Sequence, residues 1–192
     1  MFSKKLILIQ VLFLVAAFSL AVFYHRLHVA HLGMYGKVND FKLTNSDNVK
    51  VGLKTLEGKI WVADFFFTTC ASICPMMSAH MEHLQQVFKS YTEVRLVSFS
   101  VNPEQDTPEV LKDYSKKYHA DSKRWFFLTG SREDITKVVV NSFKMGDIHE
   151  PIFHSSYFAL VDKQGMIRGY YDSAAVKNID KLESDLKLLR LE

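Results

Sequence analysis

The chain has 192 residues, 48% of them apolar and 23% charged, with a formal charge of +3. That suits a single globular domain and excludes wholesale disorder and collagen-like structure. Lys4 and Lys5 are the only charges in residues 1–24; the remainder holds 22 basic against 21 acidic residues, too even for a nucleic-acid footprint.

Leu6 to Tyr24 reads LILIQVLFLVAAFSLAVFY, in which Gln10 is the only strongly polar residue. As a helix this stretch spans roughly 28 Å, enough to cross a bilayer's hydrocarbon core. Lys4 and Lys5 favour a cytoplasmic N-terminus, which exports the rest to a bacterial periplasm or, in a eukaryote, to the mitochondrial intermembrane space. Cleavage as a signal peptide is the rival outcome, and Ala16, Ala17, Ser19 and Ala21 could serve it. The apolar stretch exceeds the usual signal core, which favours an uncleaved anchor. His25, His28 and His31 follow, read as an interfacial stem with Tyr24 and Arg26 at headgroup level, or else as an accessory metal site. The expected division is residues 1–24 as anchor, 25–36 as juxtamembrane stem and 37–192 as the exported domain.

Within that domain, Asp40–Thr44 and Asn48–Val51 read as short β pieces. Lys59–Thr68 (KIWVADFFFT) is a nearly unbroken apolar run, as expected of a strand covered on both faces. Pro75 opens a helix to about Lys89. Glu93–Val101 is a second β run, and Thr107-Pro108 caps and starts another helix. Trp125–Leu128 is a third strand. Ser131, with Asp134 three residues on, starts a helix through about Asn141. Ser156–Val161 and Met166–Tyr171 flank the turn Asp162-Lys163-Gln164-Gly165 as a hairpin, and Val176–Leu191 closes the chain as an amphipathic helix. The order is that of an α/β sandwich ending in an antiparallel hairpin.

Two cysteines exclude a disulfide scaffold and a four-thiolate zinc site, so they are read as a pair. Phe67-Thr68-Thr69-Cys70-Ala71-Ser72-Ile73-Cys74-Pro75 joins the first buried strand to its helix, at the strand end where open α/β sheets gather their sites. Both thiols fall at or just before a helix N-terminus, which should lower their pKa. The i, i+4 spacing lets both sulfurs converge on one point, as metal ligation requires. A structural disulfide across so short a loop would contribute only about 2 kcal/mol, and two inert buried thiols are the other bland outcome. Two sulfurs rarely complete a metal site. The candidate third ligand is His154, in a loop stiffened by Pro151 before the terminal hairpin. Met77, Met81, Leu84 and Phe88 share one helix stripe, expected in the core. Met76, His80 and His83 form a neighbouring stripe, expected as a half-exposed face, with copper hand-off as the alternative.

From about Lys37 to Leu189 the chain resembles the SCO/SenC family of copper-binding, thioredoxin-like proteins. The resemblance is carried by Cys70, Cys74 and Pro75, by Pro103, Asp106, Thr107 and Glu109, by Leu128-Thr129-Gly130-Ser131 with Glu133, and by His154-Ser155. It implies a thioredoxin-like sandwich, a central mixed sheet flanked by helices, behind an N-terminal transmembrane helix. It also implies copper bound by Cys70, Cys74 and His154. Two thiolates and an imidazole suit Cu(I), and Cu(II) if a further donor joins, although zinc could use the same set. The implied function is a metallochaperone that helps to load the dinuclear copper site of a cytochrome c oxidase subunit, with other copper chaperones or thiol–disulfide reductants as further partners. Asn102 and Phe153 depart from the family pattern, where acidic residues are common, and put the surroundings of the ligands in question. Competing readings are a thiol–disulfide oxidoreductase in which Cys70 and Cys74 attack and resolve, and a peroxide- or redox-responsive thiol protein.

Overall fold

The computed structural model describes residues 10–16, 18–20, 32–145 and 156–192. The chain divides into two compact units, Met1–Leu32 and Gly33–Glu192. In the first, residues 10–16 and 18–20 are helical. Among the described residues no helix is long and apolar enough to cross a membrane. The span expected at 6–24 lies only partly within the described residues, and His25, His28 and His31 lie outside them.

The second unit is a mixed α/β sandwich. Its strands are β1 (Gly36–Lys37), β2 (Lys42–Asn45), β3 (Lys50–Gly52), β4 (Ile60–Phe66), β5 (Val94–Ser100), β6 (Trp125–Thr129), β7 (Tyr157–Val161) and β8 (Met166–Asp172). They form one sheet in the order β1-β8-β7-β4-β5-β6-β2-β3. The parallel centre is β4, β5 and β6, with Phe65 opposite Phe99 and Phe99 opposite Leu128. Helices α1 (Cys74–Val87), α2 (Pro108–Lys117) and α4 (Val176–Leu189) lie on one face. The helix α3 (Arg132–Thr136) and the π-helical segment Lys137–Ser142 that continues it pack on the other.

Two sets of alternating side chains from β4 build these layers. Trp61, Ala63 and Phe65 enter a core with Phe99, Val138 and Phe143, where Phe65 stacks on Phe99 at 5.5 Å and meets Phe143 edge-on at 5.1 Å. Val62, Asp64 and Phe66 face the other way, and Phe66 meets Tyr114 of α2 at 5.1 Å. Every residue of β4 is buried, as the apolar run predicts. The stripe Met77, Met81, Leu84 and Phe88 is fully buried, as expected. On the same face His83 Nε2 bonds Glu183 Oε1 of α4 at 2.8 Å, and Gln85 bridges to the segment after α2 through His119 O and Asp121 N.

Local signals set the element ends. Thr107 Oγ1 accepts from Val110 N at 3.4 Å. Ser131 Oγ accepts from Asp134 N at 3.1 Å and donates to Asp134 Oδ2 at 2.6 Å, so the carboxylate returns to the hydroxyl rather than to the Ser131 N–H of a full capping box. Asp162 Oδ1 accepts from Gln164 N and Met166 N, and Gly165 takes φ +78°, closing the β7–β8 hairpin. Two features differ from expectation. The helix after Ser131 widens to π geometry from Lys137, and β1, two residues long, forms only by pairing with Met166 and Ile167.

Candidate metal centre

The three parallel strands end on the same edge of the sheet, and the candidate residues follow from those ends. After Phe66 the chain runs through Phe67 and Thr68 into a tight turn, with Cys70 N donating to Phe67 O at 3.2 Å. Cys74 is the first residue of α1, and Pro75 supplies the fixed φ that a helix start accepts. Both cysteines are free thiols, Cys70 9% exposed and Cys74 0%.

The two sulfurs are chemically unequal. Burial pushes the Cys70 thiol up, but hydrogen bonds from the Cys74 thiol, the Ser72 hydroxyl and the N–H groups of Cys74 and Ser72 outweigh it and bring the pKa down to about 7. Cys70 Sγ lies 3.5 Å from Ser72 Oγ. Burial pushes Cys74 up to about 12, helped by its hydrogen bond to Cys70 and by the negative charges of Cys70 and Asp64. The expectation that the helix start lowers both thiols therefore holds for Cys70 alone. Cys74 is enclosed completely, and loss of solvation exceeds what the helix end contributes.

Asp106 fixes the loop that carries Cys70. It is 0% exposed at the end of the β5–α2 loop, and it accepts from Thr68 N at 3.2–3.3 Å, from Thr68 Oγ1 at 2.5 Å and from Ser100 Oγ at 2.6 Å. The strand ends of β4 and β5 are thus tied through one carboxyl group two residues before Cys70. Asn102 shapes the same loop: its carbonyl accepts from Gln105 N and Asp106 N, and its amide donates to Gln105 Oε1 at 3.1 Å. Gly130, at the end of β6, allows close packing on β2, since a Cβ there would come within 2.6 Å of Leu43 Cδ2.

His154 and Phe153 lie outside the described residues. Tyr157, three residues after His154, starts β7, which runs antiparallel to β4 with Ala159 opposite Ala63, so β7 begins at the edge where β4 ends. On α1, His80 packs edge-on to Phe158, His83 pairs with Glu183, and Met76 is exposed. The two imidazoles are thus engaged separately, and among the described residues no group of three or more His, Cys, Asp or Glu side chains could hold a metal. Sequence reasoning missed Thr68, whose partner Asp106 lies 38 positions away, Ser100, which bonds the same carboxyl group, and Asp64, whose signal was an acid inside an apolar run.

The SCO1/SenC family profile matches residues 30–189. The chain belongs to the SCO1/SenC family. The SCO1 protein homolog of Bacillus subtilis is 38% identical over 157 residues, 79% of this chain and 81% of that one. The solved structure of BsSco, a member of the Sco family of cytochrome c oxidase assembly proteins with a disulfide switch, superposes with a TM-score of 0.71 at 36% identity, covering 82% of this chain and 95% of that one. Arabidopsis thaliana ScoI, solved with copper bound, gives a TM-score of 0.67 at 27% identity, over 80% and 98% of the two chains. The thioredoxin-like sandwich expected from the resemblance is therefore the fold of this unit.

Proposed function

We propose that this chain is a membrane-tethered copper chaperone of cytochrome c oxidase assembly, holding copper as cargo on Cys70, Cys74 and His154. The observation that carries the reading is the pair of free sulfurs at the carboxyl edge of the parallel strands, with a loop locked by Asp106 on one side and the start of β7 on the other. Tyr157, three residues after His154 in sequence, starts β7 at the edge where β4 ends, which supports a ligand supplied from the preceding loop. Two thiolates and a neutral imidazole are a soft donor set suited to Cu(I). The copper bound to a relative and the oxidase-assembly role of the Sco family support the same cargo and the same recipient, an oxidase subunit. Lys4, Lys5 and the apolar run 6–24 support a tether with the domain on the exported side.

The test is copper stoichiometry and affinity of the reduced chain beside His154→Ala. The expected result is one copper per chain in the wild type, with a loss in the variant larger than the roughly 10–100-fold that changes around the ligands cost. Unchanged affinity in His154→Ala would remove the histidine from the site.

A second reading is supported by the inequality of the thiols. A thiol with a pKa of about 7 beside one pushed up to about 12 suits an attacking and a resolving cysteine. In that role the pair reduces the cysteines of the recipient before metallation, and its own oxidation switches copper binding off.

A further inference from the structure

Met76 and His80 stand one turn apart on α1, two and six residues after Cys74. Residues four apart on a helix lie side by side, with Cβ atoms about 5–6 Å from each other, so a thioether and an imidazole placed there can close on one ion. Met77 and Met81 are 0% exposed and fill the core, whereas Met76 is 37% exposed. A methionine left in water contributes little to packing, and its thioether stays open to a ligand.

His80 is half-buried. Its ring lies edge-on to Phe158 of β7, with centroids 6.5 Å apart, and a ring N–H bonds to the Ser173 carbonyl after β8. Ser173 N in turn donates to Ser156 O at 2.7 Å, just before β7. A carbonyl on one ring nitrogen fixes the tautomer and the ring's orientation and leaves the lone pair of the other nitrogen to a metal, the arrangement usual for histidine ligands. Burial and the neighbouring His83 hold the His80 ring below the ordinary imidazole range, so at pH 7 it is neutral, as ligation requires. His83, next on the stripe, is committed elsewhere: its Nε2 bonds Glu183 Oε1 of α4 at 2.8 Å.

We propose that Met76 and His80 form a second, two-coordinate Cu(I) site, an entry point that receives the ion on the surface of α1 and passes it to the cysteines. A thioether selects Cu(I) and an imidazole suits copper, whereas hard cations such as Mg²⁺ and Ca²⁺ find no oxygen donor in this pair. Cu(I) accepts as few as two donors. A thioether and a neutral imidazole hold it less firmly than two thiolates, so exchange runs from Met76 and His80 toward Cys70 and Cys74. In that exchange the bonds from copper to Met76 Sδ and to the His80 ring nitrogen break as bonds to the two Sγ atoms form. The thiol protons leave to solvent, and copper stays Cu(I) throughout. The direction of transfer rests on the copper-chaperone reading above; the existence of the site does not.

The test uses the full chain in detergent, with Ag(I) as the redox-inert counterpart of Cu(I). In a Cys70→Ser, Cys74→Ser chain carrying ¹³C-methyl methionine, one equivalent of Ag(I) shifts the methyl signal of Met76, which is identified by its absence from Met76→Leu. His80→Phe, which keeps a ring against Phe158, removes that shift. In the chain with its cysteines, reduced and metal-free, the rate of loading from Cu(I)–bicinchoninate falls by about tenfold in Met76→Leu and in His80→Phe, and is unaltered in His83→Gln. A Met76 methyl that does not move overturns the proposal. So does loading at one rate in all four proteins, or a fall as large in His83→Gln, which would make the effect one of the helix face as a whole. A wild-type chain whose cysteines take up no copper overturns the chaperone reading instead, and the Met76 signal, read without the cysteines, still decides the second site.

Discussion

Replacing Asp106 by alanine or asparagine tests whether one carboxyl group holds the Cys70 loop in place. Its oxygens accept from Thr68 N, Thr68 Oγ1 and Ser100 Oγ, and the residue is wholly buried. Hydrogen bonds to a charged group contribute about 1.5–3 kcal/mol each, and a buried donor left without an acceptor costs about 1–3 kcal/mol. These bonds share one group and are not additive, so the expected loss for Asp106→Ala is about 3–4 kcal/mol. For a domain of this size that lowers the melting temperature by roughly 10 °C. Asp106→Asn keeps the volume but turns donors toward the Thr68 and Ser100 donors, so its loss should be similar. Thr68→Val removes one bond and keeps the backbone one. In a cycle with Asp106→Asn the two changes should couple by at least about 1 kcal/mol. Urea unfolding of the four proteins measures this, and copper affinity of the same set reads whether a loosened loop weakens the site. A loss below about 0.5 kcal/mol for Asp106→Asn, additive with Thr68→Val, would show that the tie between the ends of β4 and β5 contributes nothing.

The inequality of the sulfurs predicts that iodoacetamide labels Cys70 with a midpoint near pH 7, leaving Cys74 unlabelled until strongly alkaline pH, as peptide mapping would show. Cys70→Ser should then leave no fast-reacting thiol at pH 8. Asp64→Asn should stabilise the reduced protein in a pH-dependent way. The folded pKa of about 7 lies above the ordinary 3.8, so the wild type loses stability as pH rises from about 4 to 7 and is level on either side. The variant lacks that loss, so it should be more stable by up to about 4 kcal/mol at pH 8 and little changed at pH 4. A difference in urea midpoint that is equal at both pH values would contradict the assignment of Asp64 as a neutral acid in the fold.

What the sequence made legible was local. The starts at Pro75, Thr107-Pro108 and Ser131 and the turn at Asp162–Gly165 are each decided by residues within four positions, and each formed where expected. The widening at Lys137–Ser142 was not legible, because six residues cannot separate a period of 3.6 from the wider π turn. The partners of Asp106 were hidden for a different reason: Thr68 lies 38 positions away and is brought to it by the parallel pairing of β4 with β5.

Asp64 shows how the two levels combine. Read alone, KIWVADFFFT is a buried strand, and its acid looks like a local inconsistency. Such conflicts between residue and environment concentrate at functional sites, where stability is given up for chemistry. Here the conflict falls on the strand whose end carries Cys70, on the sheet face that α1 covers. The same burial raises both the Cys74 thiol and the Asp64 carboxyl, so one packing arrangement disfavours the charged form of each.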